Sequence, residues 1–246
     1  MQLVWLLPKR YDPALLAVLN EFLQASVEQG VPTELASRYL SLPNRLSRFD
    51  ALSVHRKIAN VLPQFEYAFK SAARKGGIDW HLLAAISYQE SRWNNDAVSP
   101  TGVRGIMQMT LETADFLDVT DRMDMQQTIV AAARYLQFLN SRLPKSIDEP
   151  ERTWFAVAAY NMGLRHVLAG YRKARELGRD PTRWQNIADL LPTLYGREFS
   201  QGEQAKHYVE RVQIFTDILR FHDSHLRNIN QYDSLYRNTE PSETPN

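Results

Sequence analysis

The chain has 246 residues, 44% of them hydrophobic and 23% charged, with a formal net charge of +1. That length supports a sizeable core and one or two domains, and the balanced charge supplies no field to gather nucleic acid or an anionic membrane, so no nucleic-acid role is expected. The absence of cysteine excludes disulfides, thiolate metal sites and cysteine nucleophiles.

The opening MQLVWLLPKR has a short apolar run, but the run precedes its positive charges and lacks a small-residue cleavage site, so it does not read as a signal peptide. No stretch approaches the roughly 20 apolar residues of a membrane span. Residues 2–7 read as a short buried strand. Asp12 and Pro13 open a helix with Leu15, Leu16, Leu19, Phe22 and Leu23 on one face, stopped by Gly30. Residues 33–40 read as a further short helix, and the turn-rich 41–50 as a connector. A lone strand with two helices is too little for an independent sheet. Residues 1–45 are therefore expected to be the end of a domain whose remainder is missing.

From residue 51 onward the pattern is helical almost throughout. Residues 53–75 carry Val54, Ile58, Val61, Leu62, Phe65 and Phe69, with Pro63 set to kink or split the helix. Asp79 caps a helix over 80–91, and Thr110 a short one to Leu117. Asp124 and Gln127 form a capping box for a helix carrying Ile129, Ala132, Leu136, Leu139 and Leu143. Pro150 precedes the apolar TWFAVAAYNMG, closed by Gly163; helices over 164–177, 186–191 and 202–221 follow. Residues 226–246 are expected to be a polar, disordered tail. The sequence predicts an all-α, compact helical domain over 51–225.

Within the 80–91 helix, Leu82, Leu83 and Ile86 share a face, and Glu90 falls on that same stripe. Burial disfavours a charged carboxylate, so a half-buried Glu can hold its proton near neutral pH and serve as a general acid. The bland alternative is a Glu at a fraying helix end, paired with Arg92. NNDAVSPTGVRG is a loop whose Gly102 and Gly105 permit unusual backbone angles and close ligand approach. GIMQMT then offers Gln108 between Met107 and Met109, read either as site lining or as a loop amide beside core filler. Tyr160 and Asn161 end an apolar helix, offering a stacking face with a hydroxyl and a donor–acceptor amide, a pair suited to an N-acetylated sugar or to plain capping and packing. Tyr208 sits at the edge of a stripe formed by Val209, Val212 and Phe215. His222 and His225 lack a third ligand at metal spacing, and the zinc-protease, phosphate-loop and nucleophile-elbow patterns are absent.

Taken in order, Glu90-Ser91, Gly105-Ile106-Met107-Gln108, Ala159-Tyr160-Asn161 and Tyr208-Val209 resemble the lysozyme-like catalytic domain of lytic transglycosylases, enzymes that cleave the peptidoglycan glycan strand, over roughly residues 60–222. The wording LLAAISYQES, AVSPTGVRGIMQ and RTWFAVAAYN is similar to members in which a domain like periplasmic amino-acid-binding proteins precedes the catalytic one. Residues 1–40, ending in SRYL, are similar to the last strand and helices of such a domain. The resemblance implies a goose-type-lysozyme-like helical fold with a short N-terminal remnant of an α/β regulatory domain. It implies Glu90 as the single catalytic acid/base. Ser99, Met107 and Gln108 would line the sugar site, and Tyr160, Asn161 and Tyr208 would hold the N-acetylmuramic acid. Gln204 departs from the family pattern, standing where many members have Glu.

The reaction implied is non-hydrolytic cleavage of the bond between N-acetylmuramic acid and N-acetylglucosamine, leaving a 1,6-anhydro end. No cofactor or metal is implied. The expected setting is the periplasm, peripheral to the outer membrane, with a monomer meeting the membrane only through parts outside this chain. The competing readings are a goose-type-lysozyme-like hydrolase on the same fold and a non-catalytic peptidoglycan-binding module.

Overall fold

The structure, a computed structural model, describes residues 13–28, 48–194 and 200–237. It divides into one unit over Met1–Val54 and a second over His55–Asn246. In the first, α1 (Pro13–Glu28) forms as the periodicity predicts, with Leu15, Phe22 and Val27 exposed along it. The expected strand over 2–7, the helix over 33–40 and the connector lie outside the described residues or at their edge, and with them the expected domain remnant.

α2 (Arg48–Asn60) leads into the second unit, and the 3-10 turn Leu62–Gln64, with Pro63 inside it, separates α2 from α3 (Glu66–Gly76). Proline lacks the N–H that a continuous helix needs there, so the predicted long helix splits. α4 (Trp80–Ser91), α5 (Leu111–Phe116), α6 (Met125–Arg142), α7 (Glu151–Met162) and α8 (Leu164–Glu176) follow the sequence reading closely. The single helix expected over 186–191 is instead two short ones, α9 (Trp184–Ala188) and α10 (Leu191–Leu194). The last helix, α11 (Ser200–Arg237), runs well past the expected end at 221, so the expected tail begins inside a helix. Among the described residues there is no named strand, and no helix is long and apolar enough to cross a membrane.

Caps explain several boundaries. The Asp79 carboxylate accepts from His81 N at 2.9 Å, and Thr110 Oγ1 from Thr113 N at 3.1 Å. Asp124 caps α6 through Gln127 N, but the reciprocal half of the box is replaced. Gln127 donates to Asp124 Oδ2 and accepts from the Thr120 N–H and hydroxyl at 3.1 and 3.0 Å, tying the preceding loop to the helix start. The far end of α6 has no glycine. Arg152 of α7 satisfies it instead, donating to the carbonyls of Asn140, Leu143, Pro144 and Ile147.

α4 is the central element and packs against α3, α6 and, most extensively, α11. It is not half-buried in the manner of an amphipathic surface helix. Every residue from His81 to Tyr88 is buried, Ser87 and Ala84 as fully as Leu83. The stripe read from Leu82, Leu83 and Ile86 is thus one face of a helix enclosed on all sides. Tyr88 stacks edge-on against Phe215 of α11 at 4.7 Å, beside the predicted Val209, Val212 and Phe215 stripe. At the start of α4, Arg220 reaches Asp79 Oδ2 at 2.7 Å, and the His81 ring spans Asp79 and Asp223.

Burial pulls the Asp79 carboxyl up, but hydrogen bonds from the His81 side chain and backbone and from Arg220 outweigh it and hold it at about 2. A depressed carboxyl contributes stability above its unfolded pKa that is lost as pH falls through the folded one. Asp79→Asn keeps a good N-cap and removes the charge. It is expected to cost about 2 kcal/mol at neutral pH, with the difference from wild type closing as pH falls from about 4 to about 2. Denaturant titrations across that range check it.

Candidate active site

The site forms where the last turn of α4 meets the first turns of α11. Glu90 is the penultimate residue of α4. The residue is half-buried at the end of α4, with its carboxyl turned toward α11. Tyr208 of α11 donates its hydroxyl to Glu90 Oε1 at 2.6 Å. Burial pushes the Glu90 carboxyl up, the Tyr208 hydrogen bond pulls it partway back, and the balance lies at about 7. The Tyr208 and Tyr160 hydroxyls are held well above their ordinary range, first by burial and then by the Glu90 charge. Both therefore stay protonated donors around neutral pH. The Tyr160 hydroxyl points at the Met107 carbonyl, 3.5 Å away.

The chain then reverses sharply. Arg92 and Trp93 follow Ser91 in left-handed conformation, at φ 57° and 55°. Such residues cost on the order of 1 kcal/mol each and persist only where their surroundings hold them. Here the Trp93 indole donates to Ala84 O at 2.8 Å, and its ring packs edge-on against Tyr88 at 4.8 Å. Lys57 donates to Arg92 O at 2.8 Å. Ser87 and Ser91 both donate to Ile106 O, at 3.1 and 2.8 Å, pinning the GIMQ segment to the helix that carries Glu90.

The loop over 94–110 is a small folded unit with bridges between Val98 and Arg104 and between Arg104 and Met109. Gly105, at φ 78°, is required twice over. A Cβ there would lie 2.1 Å from Arg122 O, and the backbone angle disfavours any side chain. Arg122 closes the unit by donating to the Gly102 and Met109 carbonyls.

The sequence-expected site residues therefore divide. Glu90, Tyr208 and Tyr160 come together, with Tyr160 bringing the Met107 carbonyl. The Met107 side chain itself is fully buried, as core filler would be. Gln108 sits at φ 46°, and its amide donates to Ala97 O at 3.0 Å and Gly105 O at 2.9 Å, so both its N–H groups hold the loop. Ser99 pairs with the Thr101 hydroxyl and accepts from Val103 N within its own turn. Asn161 is exposed at the end of α7. Neither Asp96 nor Glu112, both exposed, is among the groups that shift Glu90. The pairing of Ser87 and Ser91 on one carbonyl was missed by sequence reasoning, although two serines one turn apart on an otherwise apolar helix were its signal. Tyr135 was missed as well. Its ring lies 5.7 Å from that of Tyr160.

Residues 67–182 match the family described as Transglycosylase SLT domain. The domain over residues 67–182 belongs to this family. The chain is 37% identical over 225 residues to a membrane-bound lytic murein transglycosylase F of Marinobacter nauticus, covering 88% of this chain and 45% of the relative. A protein of the same name from Pasteurella multocida is 41% identical over 220 residues, covering 85% of this chain and 44% of that one. The chain thus spans just under half the length of these curated relatives. Among solved structures, the 70 kDa soluble lytic transglycosylase of Escherichia coli matches with a TM-score of 0.52 at 19% identity, over 87% of this chain and 37% of that one. That likeness bears on the fold, which is the helical lysozyme-like one expected.

The raised Glu90 carboxyl has a consequence for stability. A carboxyl whose folded pKa lies above its unfolded value favours the folded state at low pH, and that contribution is lost as pH rises from 4.5 to about 7. Ionised Glu90 then weighs against folding by on the order of 3 kcal/mol. Glu90→Gln is expected to melt higher than wild type at about pH 8 and close to it at about pH 4.5, where both side chains are neutral. Calorimetry at the two pH values checks the sign.

Proposed function

We propose that the chain is a peptidoglycan lytic transglycosylase acting on the bond between N-acetylmuramic acid and N-acetylglucosamine. The observation that carries the reading is one half-buried carboxyl, Glu90, poised at about 7, gripped by Tyr208 and faced by Tyr160. Glycosidases generally use two carboxylates, one donating a proton and one acting as nucleophile or base. Among the described residues no second carboxylate acts on Glu90. The chemistry best suited to a lone group is one in which it serves first as acid and then as base.

Protonated Glu90 donates to the glycosidic oxygen as the C1–O bond breaks. The substrate's own N-acetyl carbonyl stabilises the positive charge developing at C1. Glu90, now a carboxylate, takes the proton of the C6 hydroxyl as that oxygen attacks C1. One C–O bond is broken and one formed, the proton passes from O6 to the leaving oxygen through Glu90, and no water is consumed. Tyr208 and Tyr160, with Asn161 and the Met107 backbone, make up the sugar-holding set, and Gln108 and Ser99 shape the loop beside it through their bonds within that loop. The reading needs no cofactor or metal. It places the protein in the periplasm as a monomer acting on glycan strands and muropeptides, with no nucleic-acid partner and with any membrane attachment made through parts outside this chain.

Mass spectrometry of the products from purified peptidoglycan tests the reading. Anhydro-muropeptides that disappear with Glu90→Gln are the expected result. Reducing-end products would make the chain a hydrolase, and binding to sacculi without any cleavage would make it a recognition module.

The rate should follow the protonated fraction of Glu90. With its pKa at about 7, kcat/KM is expected to fall about tenfold per pH unit on the alkaline side. Tyr208→Phe removes the interaction that lowers this pKa and should move the fall to higher pH. A pH–rate profile of both proteins decides it, an unmoved limb in the variant being the contrary outcome.

A further inference from the structure

The turn behind the acid is held from three directions. The Trp93 indole ties it to Ala84 O of α4, and the Ser91 hydroxyl ties it to Ile106 O. The third hold comes from α2. Lys57, in the last turn of that helix, donates its ammonium to Arg92 O at 2.8 Å. Ile58 beside it is 2% exposed, so α2 is anchored in the core at this point.

Lysine is a costly choice for this position. Its side chain is half-buried and stands near a second cation. Burial first, and then the Arg92 guanidinium, hold the Lys57 ammonium below its usual range. A surface lysine escapes such influences by extending into water. Among the described residues no carboxylate acts on Lys57 in return. What the ammonium gains is a single carbonyl, that of the C-cap of α4, in left-handed conformation at φ 57°. A helix ends with carbonyls that its own backbone cannot satisfy, and a cation there also suits the helix dipole. Arg92 stands two positions after Glu90. Its side chain is engaged elsewhere, donating to the Tyr88 hydroxyl at 3.1 Å. Lys57 is not among the influences on the Glu90 carboxyl, which are burial and the Tyr208 hydrogen bond. Its effect on the acid therefore passes through the backbone rather than through charge.

We propose that Lys57 is a positioning residue for the reaction: by holding the Arg92 carbonyl it keeps the last turn of α4 closed and so keeps the Glu90 carboxyl aligned with Tyr208. This rests on the reading of Glu90 as the acid and deepens it, extending the support of the site to α2. Opening of the turn would unwind the end of α4 and draw the carboxyl off the Tyr208 hydroxyl, which it meets at 2.6 Å. The sugar-holding groups on α7 do not depend on that turn, so the loss falls on the chemical step and not on binding.

The test measures kcat and KM on peptidoglycan strands. Lys57→Met keeps the stem and removes the donor. Its kcat is expected to fall at least about tenfold, because a small misplacement of a reacting group is costly, with KM within about twofold of wild type. Lys57→Arg, which keeps a donor, should recover most of kcat. Calorimetric titration of Glu90→Gln with and without Lys57→Met should give equal affinity for the strands, which also shows that the variant is folded. The same substitution made in Tyr208→Phe is the sharper measurement. If Lys57 acts by keeping Glu90 on the Tyr208 hydroxyl, its removal costs little more once that hydroxyl is gone. An unchanged kcat in Lys57→Met, or the full loss repeated in Tyr208→Phe, would overturn the inference. Glu90→Gln separates this from failure of the wider reading. An inactive Glu90→Gln beside Lys57→Met of wild-type kcat removes only the role of Lys57, whereas an active Glu90→Gln removes the acid assignment and the inference with it.

Discussion

The structure depends on one costly placement, a half-buried carboxyl at the end of an otherwise buried helix. Burial opposes ionisation of Glu90, and a single hydrogen bond, from a tyrosine 118 residues later, offsets part of that opposition. For that bond to form, α11 must lie against α4 in a fixed register. The contacts between the two helices set that register along their length. Asp79 and His81 meet Arg220 and Asp223 at one end, Tyr88 meets Phe215 in the middle, and Tyr208 meets Glu90 at the other. The electrostatic end is thus a positioning device for the neutral end. A shift of one turn of α11 would move Tyr208 about 5.4 Å and leave the carboxyl buried with no partner.

The second constraint is the chain reversal behind the acid. Two left-handed residues in succession and a third at Gln108 are costly, and none is glycine. They are held by bonds that reach into the core: the Trp93 indole on Ala84, two serine hydroxyls on Ile106, and the Gln108 amide on Ala97 and Gly105. Strain in the loop is therefore tied to the same helix that carries Glu90. The GIMQ segment presents the Met107 carbonyl to Tyr160 because Ile106 cannot move away from α4. Gln108 in this arrangement holds the loop rather than reaching outward, and that fixes where the loop's backbone stands relative to the acid.

Most of this fold could be read from residue patterns, because its helix starts obey local rules. Asp79, Thr110 and Asp124 cap where they stand, and Pro63 splits the helix it interrupts. Failures occurred where the deciding partner is remote in sequence. The end of α6 is satisfied by Arg152 from the next helix, which no local signal announces. The enclosure of α4 was legible only in part, since Ala84, Ala85 and Ser87 are small rather than apolar-periodic, and small residues read as neutral until neighbouring helices are seen to close on them. Glu90 was found because it violated the pattern of a buried face. Ser87 and Ser91 obeyed it well enough to pass as filler. Tyr208 could be named but not its bond, because nothing in a sequence fixes the register of two helices separated by 118 residues.

In the proposed reaction the acid becomes a base within one cycle, and there the position of the balance matters more than the size of either influence. Burial alone would carry Glu90 higher still and disfavour its carboxylate further. A charged partner in place of Tyr208 would swing it the other way and leave no proton to give. A neutral hydroxyl is the intermediate choice. It stabilises the carboxylate by donation, yet leaves the protonated form uncharged and tolerable in the same pocket. Because burial and the Glu90 charge also keep Tyr208 itself from ionising, the donor does not change state as the acid does. The site therefore has one titrating group and a fixed surround, which is what chemistry passing a single proton from one substrate oxygen to another requires.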